Sequence, residues 1–347
     1  MLPAQRGDCL WLTYGTDAKQ RHVLIDGGPS DTIAKVVPAL EDKIKALPGR
    51  DSRVELLAIT HVDADHIQGV VSLLSDHRRV KLFRDIWFNG WDQIRPDVLG
   101  GVDGERLTAA LRTQPKRWNR AFKGKAVVTE PDGDLPVVTL RDGLRLTVLT
   151  PSRAALDRLA PEWEAACRRA GIEPGQGAPI IRKSWLRDEF LGFDPDSLAT
   201  AKFSPDRSPP NGSSITAIAE FDGKRLLLLG DATASEVITG LRRLGDGPYD
   251  FDAVKLSHHG SRRNTNLELC QMIRSKKWLV STNGAVFGHP DPECLARVIV
   301  TQKKPTFYLN YVTDRVTDLI KDAGERYKVA LPRKVKGEYT QGIVVTI

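Results

Sequence analysis

The 347-residue chain is 41% hydrophobic and 27% charged, an ordinary balance for a globular protein long enough to bury a substantial core. Its formal net charge of +7 favours anionic partners without identifying one. No stretch approaches the roughly 20 apolar residues that cross a bilayer, and the N-terminal MLPAQRGDCLWLTYG lacks the apolar core and cleavage site of a secretory signal. Cys9, Cys167, Cys270 and Cys294 stand alone without CxxC spacing, which points away from a zinc ribbon or disulfide framework. A cytoplasmic protein with no membrane association is the expectation.

Short apolar runs alternate with amphipathic stretches, predicting an α/β or layered α+β fold. Residues 9–14 and 21–25 read as strands around a turn at 15–19. Residues 54–60 form a buried strand, 66–75 the helix after its loop, and 80–88 another strand. Residues 137–140 and 144–149 make a hairpin around Asp142-Gly143, a favoured turn pair. Residues 152–170 read as a helix with Ser152 as its N-cap and Gly171 as its stop. Pro174, Pro179, Pro195, Pro205, Pro209 and Pro210 make residues 174–212 a long loop or insertion. A second hairpin, 214–221 with 224–229, turns at Asp222-Gly223; 253–257 and 278–282 are short strands, and 341–347 a last one. No composition break marks a linker, so residues 1–347 are expected to form a single domain, with insertions at about 92–125 and 151–210.

The chemistry gathers in Thr60-His61-Val62-Asp63-Ala64-Asp65-His66, where His61, Asp63, Asp65 and His66 follow directly on a buried strand. Packing so many ionisable groups together without a counter-charge is costly, and a metal ion supplies one. The apolar run at 226–229 ends in Gly230-Asp231, and the strand at 253–257 ends in His258-His259-Gly260-Ser261. Singly, Asp231 reads as a turn residue and His258 as a surface histidine. Donors at three strand ends predict one shared site, because ligands converge where backbone leaves a sheet.

With Gly7-Asp8-Cys9, Leu24-Ile25-Asp26-Gly27-Gly28, Asn211-Gly212-Ser213-Ser214 and Gly288-His289-Pro290, these motifs run in order from residue 7 to residue 290. Together they resemble the metallo-β-lactamase superfamily, in particular the branch similar to the soluble domain of the ComEC DNA-uptake protein. Cys9 and Gln68 depart from a usual small residue and a frequent glycine, and the chain opens where a first strand would be half complete. The resemblance implies a four-layer αββα sandwich with insertions. It also implies two divalent metal ions, Zn²⁺ or Mn²⁺, held by His61, Asp63, Asp65, His66, Asp231 and His258, with Asp231 bridging. A carboxylate at Asp63, where better-known members carry an imidazole, makes the site oxygen-rich and admits manganese beside zinc. Such ions lower the pKa of bound water to about 7 and polarise the electrophile. Asp65 is placed at the reaction centre. His259 contacts the substrate or protonates the leaving group, or else orients His258; His289 binds a phosphate or is a structural loop histidine. Asp26 and Ser261 are placed behind the ligands as supports.

Two dications against three aspartates and a hydroxide come out near neutral, so cations elsewhere have to attract an anionic substrate. Residues 112–125 hold six basic residues and no acidic one, with Trp118 and Phe122 interleaved; a solvated face or a nucleic-acid contact both fit. Lys255, Arg262, Arg263, Lys276, Lys277, Lys303 and Lys304 are further candidates, and Trp118 or Trp185 could stack a base or belong to the core. The leading expectation is a phosphodiesterase acting on nucleic acid or nucleotides. The alternatives are a hydrolase of another ester, such as a phosphocholine ester or lactone, and an effector subunit with a protein partner from a defence operon.

Overall fold

The structure, a computed structural model, describes residues 1–30, 33–47, 54–94, 102–170 and 193–347. Two main sheets face each other. In the first, β1 (Leu10–Thr16) and β2 (Lys19–Ile25) form an antiparallel hairpin, and β3 (Val54–Ala58) and β4 (Phe83–Trp87) extend it in parallel. In the second, β5 (Val137–Thr139), β6 (Arg145–Thr150), β7 (Thr216–Phe221) and β8 (Lys224–Leu228) form an antiparallel meander. A small pair, β9 (Tyr249–Phe251) with β11 (Ile273–Ser275), lies apart. From β8 the large sheet continues in parallel through β10 (Ala253–Lys255), β12 (Lys277–Val280), β13 (Thr306–Leu309) and β14 (Lys328–Ala330).

Three apolar cores among the described residues define four layers, the αββα sandwich expected from the motifs. The helices α1 (Ile33–Lys45), α2 (Ala64–Leu73), α3 (Trp91–Ile94), α4 (Val102–Arg112) and α5 (Arg153–Ala170) pack on the first sheet, where Leu40, Ile67, Leu107 and Trp163 meet Leu24, Leu57 and Ile86. After two short helices, α6 (Pro195–Ala199) and α7 (Pro209–Gly212), α8 (Ala234–Arg242), α9 (Leu267–Met272) and α10 (Pro292–Thr301) cover the second sheet, where Val237, Leu269 and Val298 meet Leu227, Val254 and Trp278. Between the sheets, Val23, Leu56 and Trp87 face Leu146, Ala219 and Leu279. Successive strand side chains point to opposite faces, so Leu226 and Leu228 enter the middle core while Leu227 and Leu229 enter the outer one. A strand buried on both faces has no alternation to show, which is why it reads as an unbroken apolar run.

Several boundaries differ from expectation. Residues 77–82 form a 3-10 turn rather than the start of β4, because the Asp76 side chain accepts from the Arg78 amide and closes the turn. Ser152 does cap α5, its hydroxyl accepting from the Ala155 amide at 3.1 Å. Residues 171–192, with Gly171, Pro174, Pro179 and Trp185, lie outside the described residues. The described remainder of the expected loop holds α6, capped by Asp194, and α7. Residues 341–347 are not a strand. Their pairing is with the chain start, where Ile343 exchanges backbone hydrogen bonds with Met1, and Val344 is 91% exposed. Among the described residues no helix is long and apolar enough to cross a membrane.

The strand ends meet on one side of the sandwich. The Ile215 amide, ahead of β7, donates to the Thr60 carbonyl beyond β3, and the His258 amide beyond β10 donates to the Gly230 carbonyl beyond β8.

Candidate metal centre

His61 and Asp63 hang from the loop after β3, while Asp65 and His66 sit in the first turn of α2. The N-terminal segment presses on that turn: a Cβ at Gly7 would lie 1.8 Å from the Asp65 carbonyl oxygen, so only glycine fits there. Asp231 follows Gly230, whose φ of +49° turns the chain sharply out of β8. His258 and His259 both adopt left-handed backbone, with φ of 45° and 57°, a conformation that non-glycine residues seldom take and that clusters at functional sites.

Four imidazoles surround the Asp231 carboxylate. His66 Nε2 lies 3.3 Å from Oδ1, and Nε2 of His259, His258 and His61 lies 3.6, 3.7 and 3.9 Å from Oδ2. Asp65 Oδ2 is 3.4 Å from His259 Nε2, and Asp63 Oδ2 is 3.6 Å from His61 Nε2. Each ring's other nitrogen faces an acceptor. His66 Nδ1 is 2.8 Å from Asp26 Oδ2, and His259 Nδ1 is 2.9 Å from the Ser281 carbonyl. His61 Nδ1 is 3.0 Å from Thr60 Oγ1, whose own hydroxyl donates to Asp26 Oδ2. His258 Nδ1 is 3.0 Å from Asn264 Oδ1. In the neutral rings these acceptors draw the proton to Nδ1 and turn an Nε2 lone pair towards Asp231.

This arrangement fits a divalent cation. Nε2 of His61, His66 and His259 and Oδ1 of Asp231 are buried with no hydrogen-bond partner, although buried polar atoms are nearly always paired. His61, His66 and Asp231 offer ligand atoms within 4.8 Å of one another, and so do Asp65, His66 and His259. Mixed imidazole and carboxylate donors suit zinc or another borderline divalent ion. The electrostatics agree. Burial opposes ionisation of Asp231, but His66, His259 and His258 outweigh it and hold the carboxyl well below its usual range. Burial opposes charge on His259 too, yet Asp231, Asp8 and Asp65 lift its pKa to about 9. Asp65, against its burial, is drawn down to about 2 by His259 and His66.

The structure brings His61, Asp63, Asp65, His66, Asp231 and His258 together around one point, with His259 among them. His259 is fully buried, whereas the His258 side chain is 21% exposed and that of Asp63 40%. Asp26 stands behind His66 and Thr60. His289 lies at the rim, its ring 5.1 Å from that of His258 and its Nδ1 3.4 Å from Asp291 Oδ2. Ser261 Oγ accepts from the Arg263 amide, and the Ser261 amide donates to the His258 carbonyl at 2.9 Å, so it holds the turn behind His258 through its backbone.

Sequence reasoning placed Asp26 behind the ligands but missed the other residues that hold the histidines. Asp8 pairs with Lys255 at 2.6 Å, both fully buried, and its other oxygen is 3.3 Å from His259 Nδ1. Lys255 is therefore neutralised inside the molecule and is not one of the phosphate-attracting cations expected; a lysine in an otherwise apolar strand was the available signal. Asp206 accepts from Asn211 and Asn264, and Asn264 also donates to the Asp231 carbonyl at 3.0 Å. Trp118 is buried, its Nε1 donating to the Phe88 carbonyl, so it is core and not a stacking platform.

No family model matches the sequence, and no curated protein matches it. Among solved structures, the chain is similar to a protein of Parabacteroides distasonis assigned as a metal-dependent hydrolase, at 11% identity over 78% of this chain and 87% of that one, with a TM-score of 0.31. It is similar to Zn²⁺-bound PqqB of Methylobacterium extorquens at 13% identity over 96% and 86% of the two chains, with a TM-score of 0.36. A variant of the CmlA β-hydroxylase matches at 13% identity and a TM-score of 0.33, over 93% of this chain but 51% of its own.

Proposed function

We propose that the chain is a metal-dependent hydrolase that holds two divalent ions at Asp231 and cleaves phosphodiesters of nucleic acid or nucleotides. The carrying observation is the convergence of four imidazole Nε2 atoms on one buried carboxylate, three of them with no other partner. Asp65, His66 and His259 would hold one ion, and His61, Asp63 and His258 the other, with Asp231 shared. His259 thus moves from the substrate contact expected of it to a ligand, because its Nε2 is buried between Asp65 and Asp231. Zn²⁺ and Mn²⁺ both suit this donor set. On its motifs we place the chain beside the ComEC-type metallo-hydrolases.

When bound, such ions lower the pKa of water to about 7 and polarise the phosphoryl oxygen. The protein's own groups orient and admit. Asp26, Thr60 and the Ser281 carbonyl fix three rings from behind, and Asn264 fixes the fourth. The exposed edges of Asp63 and His258 mark the side from which substrate enters. His289, beside His258 on that side, contacts the phosphoryl group; burial keeps its pKa low and the ring neutral despite Asp291. Three aspartates nearly balance two dications, so the attraction of an anion falls to cations outside the centre.

The test is hydrolysis of bis-p-nitrophenyl phosphate and single-stranded DNA by metal-stripped protein resupplied with Zn²⁺ or Mn²⁺, with Asp65→Ala alongside. Turnover restored by metal and lost in the variant is the expected result. Failure to turn over either substrate with ions bound would discard the phosphodiesterase reading.

A further inference from the structure

We propose that residues 115–125 form a rigid cationic surface, apart from the metal centre, that grips the backbone of a nucleic-acid strand. It deepens the function proposed above and rests on it only for the identity of the polyanion.

No acidic residue falls between Glu105 and Glu130. A basic run of this kind is ordinarily a solvated, mobile face, but here the backbone is pinned along β4. Asp85 accepts from the Arg120 amide at 2.8 Å and the Ala121 amide at 3.0 Å. The buried Asn119 takes left-handed backbone, accepts from the Phe88 amide, and donates to the carbonyls of Phe88 and Lys125. Phe122 packs edge-on against Trp87 at 5.3 Å, and the Lys125 amide closes on the Phe122 carbonyl. The aromatic residues and the polar anchors face inward. Lys116, Arg120, Lys123 and Lys125 are left exposed, with no ion-pair partner among the described residues.

The surface continues onto the start of β4. Arg84, Arg21 and Arg141 all approach the carboxylate of Glu55, at 3.1, 3.3 and 4.0 Å, and Arg21 also pairs with Asp142 at 2.6 Å. Burial first, and then the positive charges of Arg141, Arg21, Arg117 and Arg120, depress the Arg84 pKa. Cations strung along a fixed loop match a ligand with repeated charges better than a compact anion. Of the polyanionic surfaces, an anionic bilayer also asks for apolar side chains to insert. No exposed large hydrophobic residue occurs in 112–125, so the pattern favours phosphates on a strand. Because the backbone is already ordered, binding forfeits little conformational entropy there.

Lysines beside an edge strand also discourage sheet-to-sheet aggregation, and the experiment separates that role from binding. Binding of a fluorescein-labelled single-stranded oligonucleotide to the full chain is followed by anisotropy across a salt series, with EDTA present. The parent protein is compared with Arg120→Gln/Lys123→Gln/Lys125→Gln and with Lys116→Gln. We expect affinity to fall linearly with salt on logarithmic axes. The slope should be shallower by about 2 in the triple variant and by about 0.7 in the single one, at roughly 0.7 per phosphate contact, with thermal midpoints unchanged. Equal affinity and slope in parent and variants would overturn the proposal, as would absence of salt-dependent binding by the parent. Preference for anionic phosphatidylserine vesicles over the oligonucleotide would overturn it in favour of a membrane. Since binding is read in EDTA, an inert metal centre would discard the phosphodiesterase reading and leave this result standing. An active centre with an unchanged slope would do the reverse.

Discussion

The inner and outer halves of the metal centre are built to different standards. On the inner side, His61, His66 and His259 are fully buried, and each ring is fixed by an acceptor that is itself held: Thr60, Asp26 or the Ser281 carbonyl. On the outer side, Asp63 and His258 reach the surface with His289 packed beside them, and the ring of His258 depends on Asn264 and Asp206, which sit on loops. The difference separates two tasks. On the function proposed, a preformed inner half would bind a cation without first ordering its donor groups, whereas the outer half would stay open to water and substrate. Loss of inner groups should cost metal, and loss of outer groups should cost rate.

The largest effect should come from the residue common to both halves. Asp231→Ala is expected to abolish retention of both ions and to lower turnover of bis-p-nitrophenyl phosphate by about 10³-fold or more, read by elemental analysis beside the assay. Next comes the buried pair behind His259. Lys255→Met leaves the buried Asp8 carboxylate without its lysine, which should destabilise the fold by about 3–5 kcal/mol in denaturant unfolding. Adding Asp8→Asn should recover most of that loss, and a double variant as unstable as the single one would show that the pair is not the cause. Asp26→Asn keeps the shape behind His66 but weakens the acceptor. It should reduce metal affinity by about 10–100-fold with little change in thermal midpoint. At the outer rim, His289→Ala should leave metal content intact and reduce kcat/KM by about tenfold, the scale of one hydrogen bond to a charged group. Metal loss in that variant would erase the distinction between the halves.

A smaller effect sharpens the comparison through pH. His259 in the metal-free protein has a pKa raised to about 9 by Asp231, Asp8 and Asp65, so at neutral pH an incoming ion must displace its proton. Apparent affinity should therefore rise with pH up to about 9, by roughly tenfold per unit for each proton released, and level off above it. Calorimetry in buffers of different ionisation enthalpy counts those protons directly.

What the sequence disclosed follows the same division. His61, Asp63, Asp65 and His66 lie in one loop, and Asp231, His258 and His259 each end an apolar run, so local pattern was enough to find them. Of the groups that orient the rings, Asp26 was legible at its strand end, and the others were hidden because they act across the fold. Asp8 is an isolated carboxylate near the chain start until β10 brings Lys255 against it. Asp206 lies in a proline-rich stretch and meets His258 only through loop packing. Among the elements, the hairpins at Asp142 and Asp222 were legible from their turn pairs, and both adopt positive φ. The helices α1, α8 and α10 and the strand β13 went unread, since they carry no chemistry to draw the eye and show their apolar faces only once the outer cores are assembled. The tail was misread because an apolar ending resembles a strand whether or not a sheet edge awaits it.

The central claim is tested most directly by titrating metal-stripped protein with Zn²⁺ in a calorimeter and comparing it with Asp231→Ala. The account predicts two ions per chain, taken up with release of protons, and neither retained by the variant. Fewer than two ions in the parent, or uptake unchanged without Asp231, would contradict it.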